Sequence, residues 1–130
     1  MGKPWGQLPD KGDTEHWSVA SQLFSAGLAF AFSGEKGYAE WTRDGLLAYA
    51  DLYPRLPLTN GRCKVFKQSS LYEARWLVDI VRAYDLVADS GVFTEEQKRH
   101  VETDLLRAAL VCFKIDDFEK DNPSRCVLTS

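Results

Sequence analysis

Apolar residues recur at three- and four-residue steps in four stretches of the chain, and that period predicts four helices. The first spans about Thr14 to Phe32, with Trp17, Ala20, Phe24, Leu28 and Ala31 forming one stripe. Gly27 lowers its helix propensity, and Gly34 is placed to end it in the left-handed conformation. The second spans about Lys36 to Leu52, with Tyr38, Trp41, Leu46, Ala50 and Tyr53 on its apolar side. Pro54 stops it, and Pro57 keeps the exit extended. The third starts at Ser70-Leu71-Tyr72-Glu73, a capping box in which a Ser hydroxyl and a Glu carboxylate satisfy two helix-end amides reciprocally. Leu77, Ile80, Val81, Tyr84 and Val87 continue it to Ser90-Gly91. The fourth repeats the device at Thr94-Glu95-Glu96-Gln97 and carries Val101, Leu105, Ala109, Cys112 and Phe113 inward. It fades near Asp116 to Phe118.

This pattern predicts an all-α fold of antiparallel helical hairpins, because the link between the first two helices is very short. The expected organisation is an N-terminal segment over 1–13, a helical hairpin domain over 14–118 and an irregular tail over 119–130. Arg55 to Ser69 reads as a long loop with Pro57 and Asn60-Gly61, and long ordered loops are often functional. Trp41 and Tyr49 on the second helix, and Trp76 and Tyr84 on the third, stand on more than one side of their helices. Two hairpins have limited mutual area, so further helices or self-association are expected to cover the apolar faces left over.

Composition narrows the function. The 130 residues are 45% hydrophobic and 12% aromatic, which suits a packed core and argues against disorder. A net charge of −3 gives no global pull toward nucleic acid or an anionic membrane, and no run is long and apolar enough to span a bilayer. Residues 1–11 lack the charged start and apolar run of a signal peptide. Arg62, Lys64 and Lys67 form a local basic cluster, either a solvated loop or a patch for an anion. Cys63, Cys112 and Cys126 contain no C-x-x-C pair, so a structural zinc site is not expected. Cys112 reads as core, while Cys63 and Cys126 are left as free thiols or a pair. Dinucleotide, P-loop, zinc-protease and serine-hydrolase signatures are absent, so no cofactor or metal is expected. His16 and His100 read as surface or boundary residues rather than catalytic bases.

The most informative run is Lys64 to Leu77, continuing through Val81-Arg82-Ala83-Tyr84-Asp85-Leu86-Val87 and Ser90-Gly91 to Thr94-Glu95-Glu96. With Gln68, the Leu71-Tyr72-Glu73 step, Trp76-Leu77, Ala83-Tyr84-Asp85-Leu86 and Leu105-Leu106, it resembles the helical N-terminal domain of heparinase II/III-like polysaccharide lyases. That family includes alginate and oligoalginate lyases. Leu28-Ala29-Phe30 and Ala48 to Pro54 look like its preceding hairpin, so the resemblance covers roughly residues 16–122. It rests on a diffuse helical pattern rather than on one sharp motif.

The resemblance implies a partial α/α toroid, an anionic uronate-containing polysaccharide or oligosaccharide as partner, and cleavage by β-elimination. Such chemistry needs a group to neutralise the uronate carboxylate, a base for the C5 proton and an acid for the leaving O4. The family places a neutralising Asn just after the fourth helix, where this chain has Asn122, but Pro123-Ser124-Arg125-Cys126 departs from the family pattern. The family's Tyr and His would fall beyond Ser130. The expectation is therefore a fragment or truncated relative, inactive alone, periplasmic or secreted if the likeness holds. Substrate contact is expected from Lys67, Gln68, Tyr72, Arg75 and Trp76. Arg75 suits a carboxylate, and Tyr72 or Trp76 suits a sugar face, with a place in the core as the alternative for Trp76. A helical-repeat interaction module remains the rival reading, although the long loop and missing fixed period fit it poorly.

Overall fold

A computed structural model of the chain describes Leu8, residues 15–56 and residues 70–111, with the side chains of 70–72 outside the description. Of the described residues, 87% are helical and none lies in a strand, so the all-α expectation holds. Helix α1 spans Glu15–Ser33, α2 Lys36–Leu52, α3 Ser70–Val87 and α4 begins at Glu95–His100. Gly34, at φ +73°, donates its amide to the Phe30 carbonyl at 2.7 Å and turns the chain between α1 and α2. A single 3-10 turn, Tyr53–Arg55, follows α2 at Pro54. The loop centred on 57–69, the basic cluster, Cys63 and Cys126 lie outside the described residues.

Contacts between side chains set the directions of the helices. Trp17 meets Arg75 and Phe24 meets Arg82, seven residues further along both, so α1 and α3 run parallel. Arg43 donates to the Val92 carbonyl and Asp51 reaches His100, so α2 and α4 also run parallel. His16 pairs with Tyr49, whereas Ala29 shares a groove with Tyr38, so α1 and α2 are antiparallel. The most extensive packing is between α1 and α3, with α2 against both and, on its other side, against α4 and its continuation.

The seam between α1 and α3 differs from the stripe expected from the sequence. His16, Val19, Ala20, Leu23, Ala26 and Gly27 are the buried residues of α1, and Trp17 and Phe24 are only half-buried at its rim. The cause is steric: small side chains let the helix axes approach, and a ring in the seam would hold them apart. A Cβ on Gly27 would stand 3.2 Å from Leu86 Cδ1 and 3.5 Å from the Ala83 carbonyl, so α3 lies directly against the glycine. In α2 the same shift leaves Tyr38 and Trp41 half-buried while Ala39, Thr42, Leu46 and Tyr49 face inward.

The expectation of crowded, uncovered aromatics is corrected too. Tyr49, Trp76 and Tyr84 are all buried, Trp41 is half-buried, and the exposed large apolar residues are Phe32, Val78, Val81, Leu110 and Val111. Stacking and edge contacts let the rings share volume that a count of side chains overstates. The fourth helix is likewise not uniform. After the Thr94 capping box, in which Thr94 Oγ1 accepts from the Gln97 amide, the chain passes into a π-helix over Val101–Arg107 and returns to α over 108–111. Val101, Leu105 and Ala109 are the buried residues of this helix, at steps of four.

Enlarging the glycine should test the seam. Gly27→Ile is expected to lose about 1–3 kcal/mol in chemical denaturation, as overpacking does in a tight core. The exposed control Gly37→Ala, whose Cβ meets nothing within 4 Å, is expected to hold or raise stability.

Candidate functional site

The start of α1, the end of α2 and the start of α3 meet at one end of the molecule, where most of the expected site residues lie. Three polar pairs or rings are buried beneath it. His16 Nδ1 and the Tyr49 hydroxyl are 2.8 Å apart, both residues fully buried. The expectation that His16 is a surface or boundary residue is thereby corrected: a ring with a polar partner in the last turn of α2 satisfies itself inside the core. Burial pushes the Tyr49 hydroxyl well above its ordinary pKa, so it stays protonated. The Tyr53 hydroxyl donates to Glu73 Oε2 at 3.0 Å, and Glu73 is also fully buried. Its carboxylate, expected at a helix cap, is bound to the turn that follows α2.

Trp76 joins these pairs. It is 1% exposed, stacked on Tyr53 with centroids 5.8 Å apart and planes 9° apart, and met edge-on by Tyr49 at 5.3 Å. Of its two expected roles, sugar platform or core, the structure gives it the core. Its indole N–H bears on the Tyr49 hydroxyl outside hydrogen-bonding geometry and has no acceptor.

Above the buried layer, Arg75 is exposed, its guanidinium carbon 5.1 Å from the Trp17 ring centroid. Two turns on, Arg82 is held in the same way over Phe24 at 5.8 Å. A surface groove of about 180 Å³ runs between them, lined by Trp17, Arg75, Val78, Asp79 and Arg82. Neither guanidinium has an ion-pair partner among the described residues, whereas Arg43 is paired with Asp44 at 3.0 Å. Arg75 was singled out from sequence as a candidate carboxylate contact, and the structure places it exposed at this groove. Arg82, Asp79 and Trp17 were not; the seven-residue steps Trp17–Phe24 and Arg75–Arg82 were the available signal. Lys67, Gln68 and Asn122 lie outside the described residues, as does the Tyr72 side chain.

On the far side of α2, His100 stands between two carboxylates, with Nε2 2.6 Å from Asp51 and Nδ1 2.6 Å from Asp104. It ties α2 to the π segment and is a boundary residue, as expected. Tyr84 donates to Glu102 of the same segment. Among the described residues no cluster of His, Cys, Asp and Glu is arranged to hold a metal.

No family model matches the chain. Its similarities to curated proteins nevertheless point to one class: the chain is distantly related to polysaccharide lyases. It is 34% identical over 98 residues to an alginate lyase of Stenotrophomonas maltophilia (strain K279a), covering 72% of this chain and 13% of that protein. It is also 34% identical over 94 residues to an exo-oligoalginate lyase of Saccharophagus degradans, covering 68% of this chain and 12% of that one. The chain therefore spans about an eighth of the length of these relatives.

Two measurements test this geometry. Tyr53→Phe removes a donor from a buried carboxylate and should cost about 1–3 kcal/mol in denaturant unfolding. His100 is shifted upward, first by its hydrogen bond to Asp51, so its stabilising effect is complete below the free-histidine pKa of about 6.5 and fades as pH rises through the higher folded value. Wild-type Tm should fall across that window relative to His100→Gln, whose profile should be flatter there.

Proposed function

We propose that this chain forms part of the substrate-binding surface of a polysaccharide lyase that cleaves uronate-containing polysaccharide by β-elimination. In this reading its helices are an arc of a heparinase II/III-like α/α toroid. Consecutive antiparallel helices with parallel alternate helices are the arrangement such an arc requires. The observation that carries the reading is Arg75, exposed on the Trp17 ring and without an ion-pair partner among the described residues, in a chain similar to an alginate lyase and an exo-oligoalginate lyase. A guanidinium fork binds a carboxylate through two parallel hydrogen bonds, and its aromatic support holds it ready. Gln68 and Lys67 join it from the preceding loop, and Asn122 supplies the carboxylate neutraliser.

The chain alone is proposed to bind without cleaving. His16 and Tyr49 are sealed in the core, Tyr53 and Tyr84 are buried against carboxylates, and His100 is clamped by two aspartates. None of these stands ready to remove a C5 proton, and in this reading the base and acid come from outside these helices. In the periplasmic or secreted setting of such enzymes, the exposed Val81, Leu110 and Val111 are the surfaces through which further helices or a second copy would pack.

The parallel packing of alternate helices also suits a helical-repeat interaction module. The two readings separate cleanly. Purified chain is expected to bind oligouronate in calorimetry, more weakly as salt rises. It should give no rise in unsaturated-product absorbance on alginate. Clear turnover would overturn the claim that the acid and base lie elsewhere. Failure to bind any oligouronate at low salt would favour the repeat module.

A further inference from the structure

The α1–α3 groove extends past Arg75, and its chemistry is more selective than that of a basic patch. We propose that Arg75, Asp79 and Arg82 form a two-site cradle along α3 that reads two carboxylates about 10 Å apart along a polyuronate, each Arg taking one carboxylate and Asp79 taking sugar hydroxyls between them. This deepens the polyuronate reading above and rests on it.

The argument begins with spacing. Residues 75 and 82 are seven apart, so their Cα atoms lie on one face of α3 about 10 Å apart along its axis. Asp79 falls between them, four residues after Arg75 and three before Arg82, on that same face. All three line the one groove. An Asp so placed would ordinarily pair with the Arg at either side, yet no ion pair joins Asp79 to Arg75 or Arg82 within 4 Å. Both guanidinium groups lie over rings instead, at 5.1 Å and 5.8 Å. The rings hold the cationic forks apart from the carboxylate and leave their N–H edges for a ligand.

The mixed signs restrict the ligand. A purely anionic chain such as polyphosphate or a polyacidic peptide gains from the two arginines and is repelled by Asp79. A chain bearing both carboxylates and hydroxyl donors satisfies all three, because a carboxylate accepts hydrogen bonds from hydroxyls. Val78 and the half-exposed edge of Trp17 supply apolar surface for the non-polar side of a sugar ring.

Calorimetric titration of the full chain tests this, with hexamannuronate, hexaglutamate and neutral mannohexaose as probes. Wild type should prefer hexamannuronate. Arg82→Gln and Arg75→Gln should each weaken it roughly tenfold, as loss of a charged hydrogen-bonded contact does. Arg82→Lys should recover only part of the loss, because it restores charge without the fork. Asp79→Asn should narrow the gap between hexamannuronate and hexaglutamate by strengthening the latter. Far-UV dichroism and melting of each variant verify that α3 is intact. Hexamannuronate binding by wild type that survives both Arg→Gln changes overturns the cradle and leaves the polyuronate reading standing. Equal affinity for hexaglutamate in wild type, unchanged by Asp79→Asn, overturns the role of Asp79. Absence of hexamannuronate binding by wild type overturns the polyuronate reading and the cradle together.

Discussion

The close approach of α1 to α3 is the constraint from which the rest of the structure follows. Gly27 lies against Leu86 and the Ala83 carbonyl. Two helices this near leave no room for rings between them, so Trp17 and Phe24 are displaced to the rim. There they meet the arginines of α3, which emerge on the same side because the helices run parallel. A packing requirement in the core thus creates the aromatic seats on which Arg75 and Arg82 are held.

The same closeness leaves the end of the molecule to be filled from α2. Tyr49 and Tyr53 reach under the start of α3 and meet His16, Glu73 and Trp76 in a layer that is aromatic in volume and polar at several edges. Such a layer is stiff when its hydrogen bonds are made and costly where they are not, and the Trp76 N–H is the one indole edge there without an acceptor. It fixes the rotation of the first turns of α3, and with it the direction in which Arg75 projects.

The opposite side of α2 is held differently. Arg43 bonds to Val92, Asp51 to His100, and Tyr84 reaches across from α3 to Glu102. Tyr84 and Phe93 pack edge-to-face at 5.6 Å beneath these contacts. The π-helical stretch sits where they converge, with Asp104 turned back to His100 and Val101 and Leu105 turned inward. The widened turn thus lies where anchors from both flanks meet it.

By itself the sequence determined the all-α class and, to within a few residues, the limits of the first three helices. Period, Pro54, Gly34 and the Thr94 capping box act within a few residues of one another, and local chemistry of that kind is written locally. The likeness to polysaccharide lyases was legible for the same reason. Which face of each helix turns inward was decided only in three dimensions. Trp17 and Phe24 have the hydrophobicity of a core stripe, and nothing near them in the chain reveals that a glycine ten residues after Trp17 must touch α3. His16, Glu73 and Trp76 were misread or left open because their partners lie between 20 and 33 residues away or are other rings. Burial of a polar group depends on what meets it, and that meeting exists only once the helices have packed.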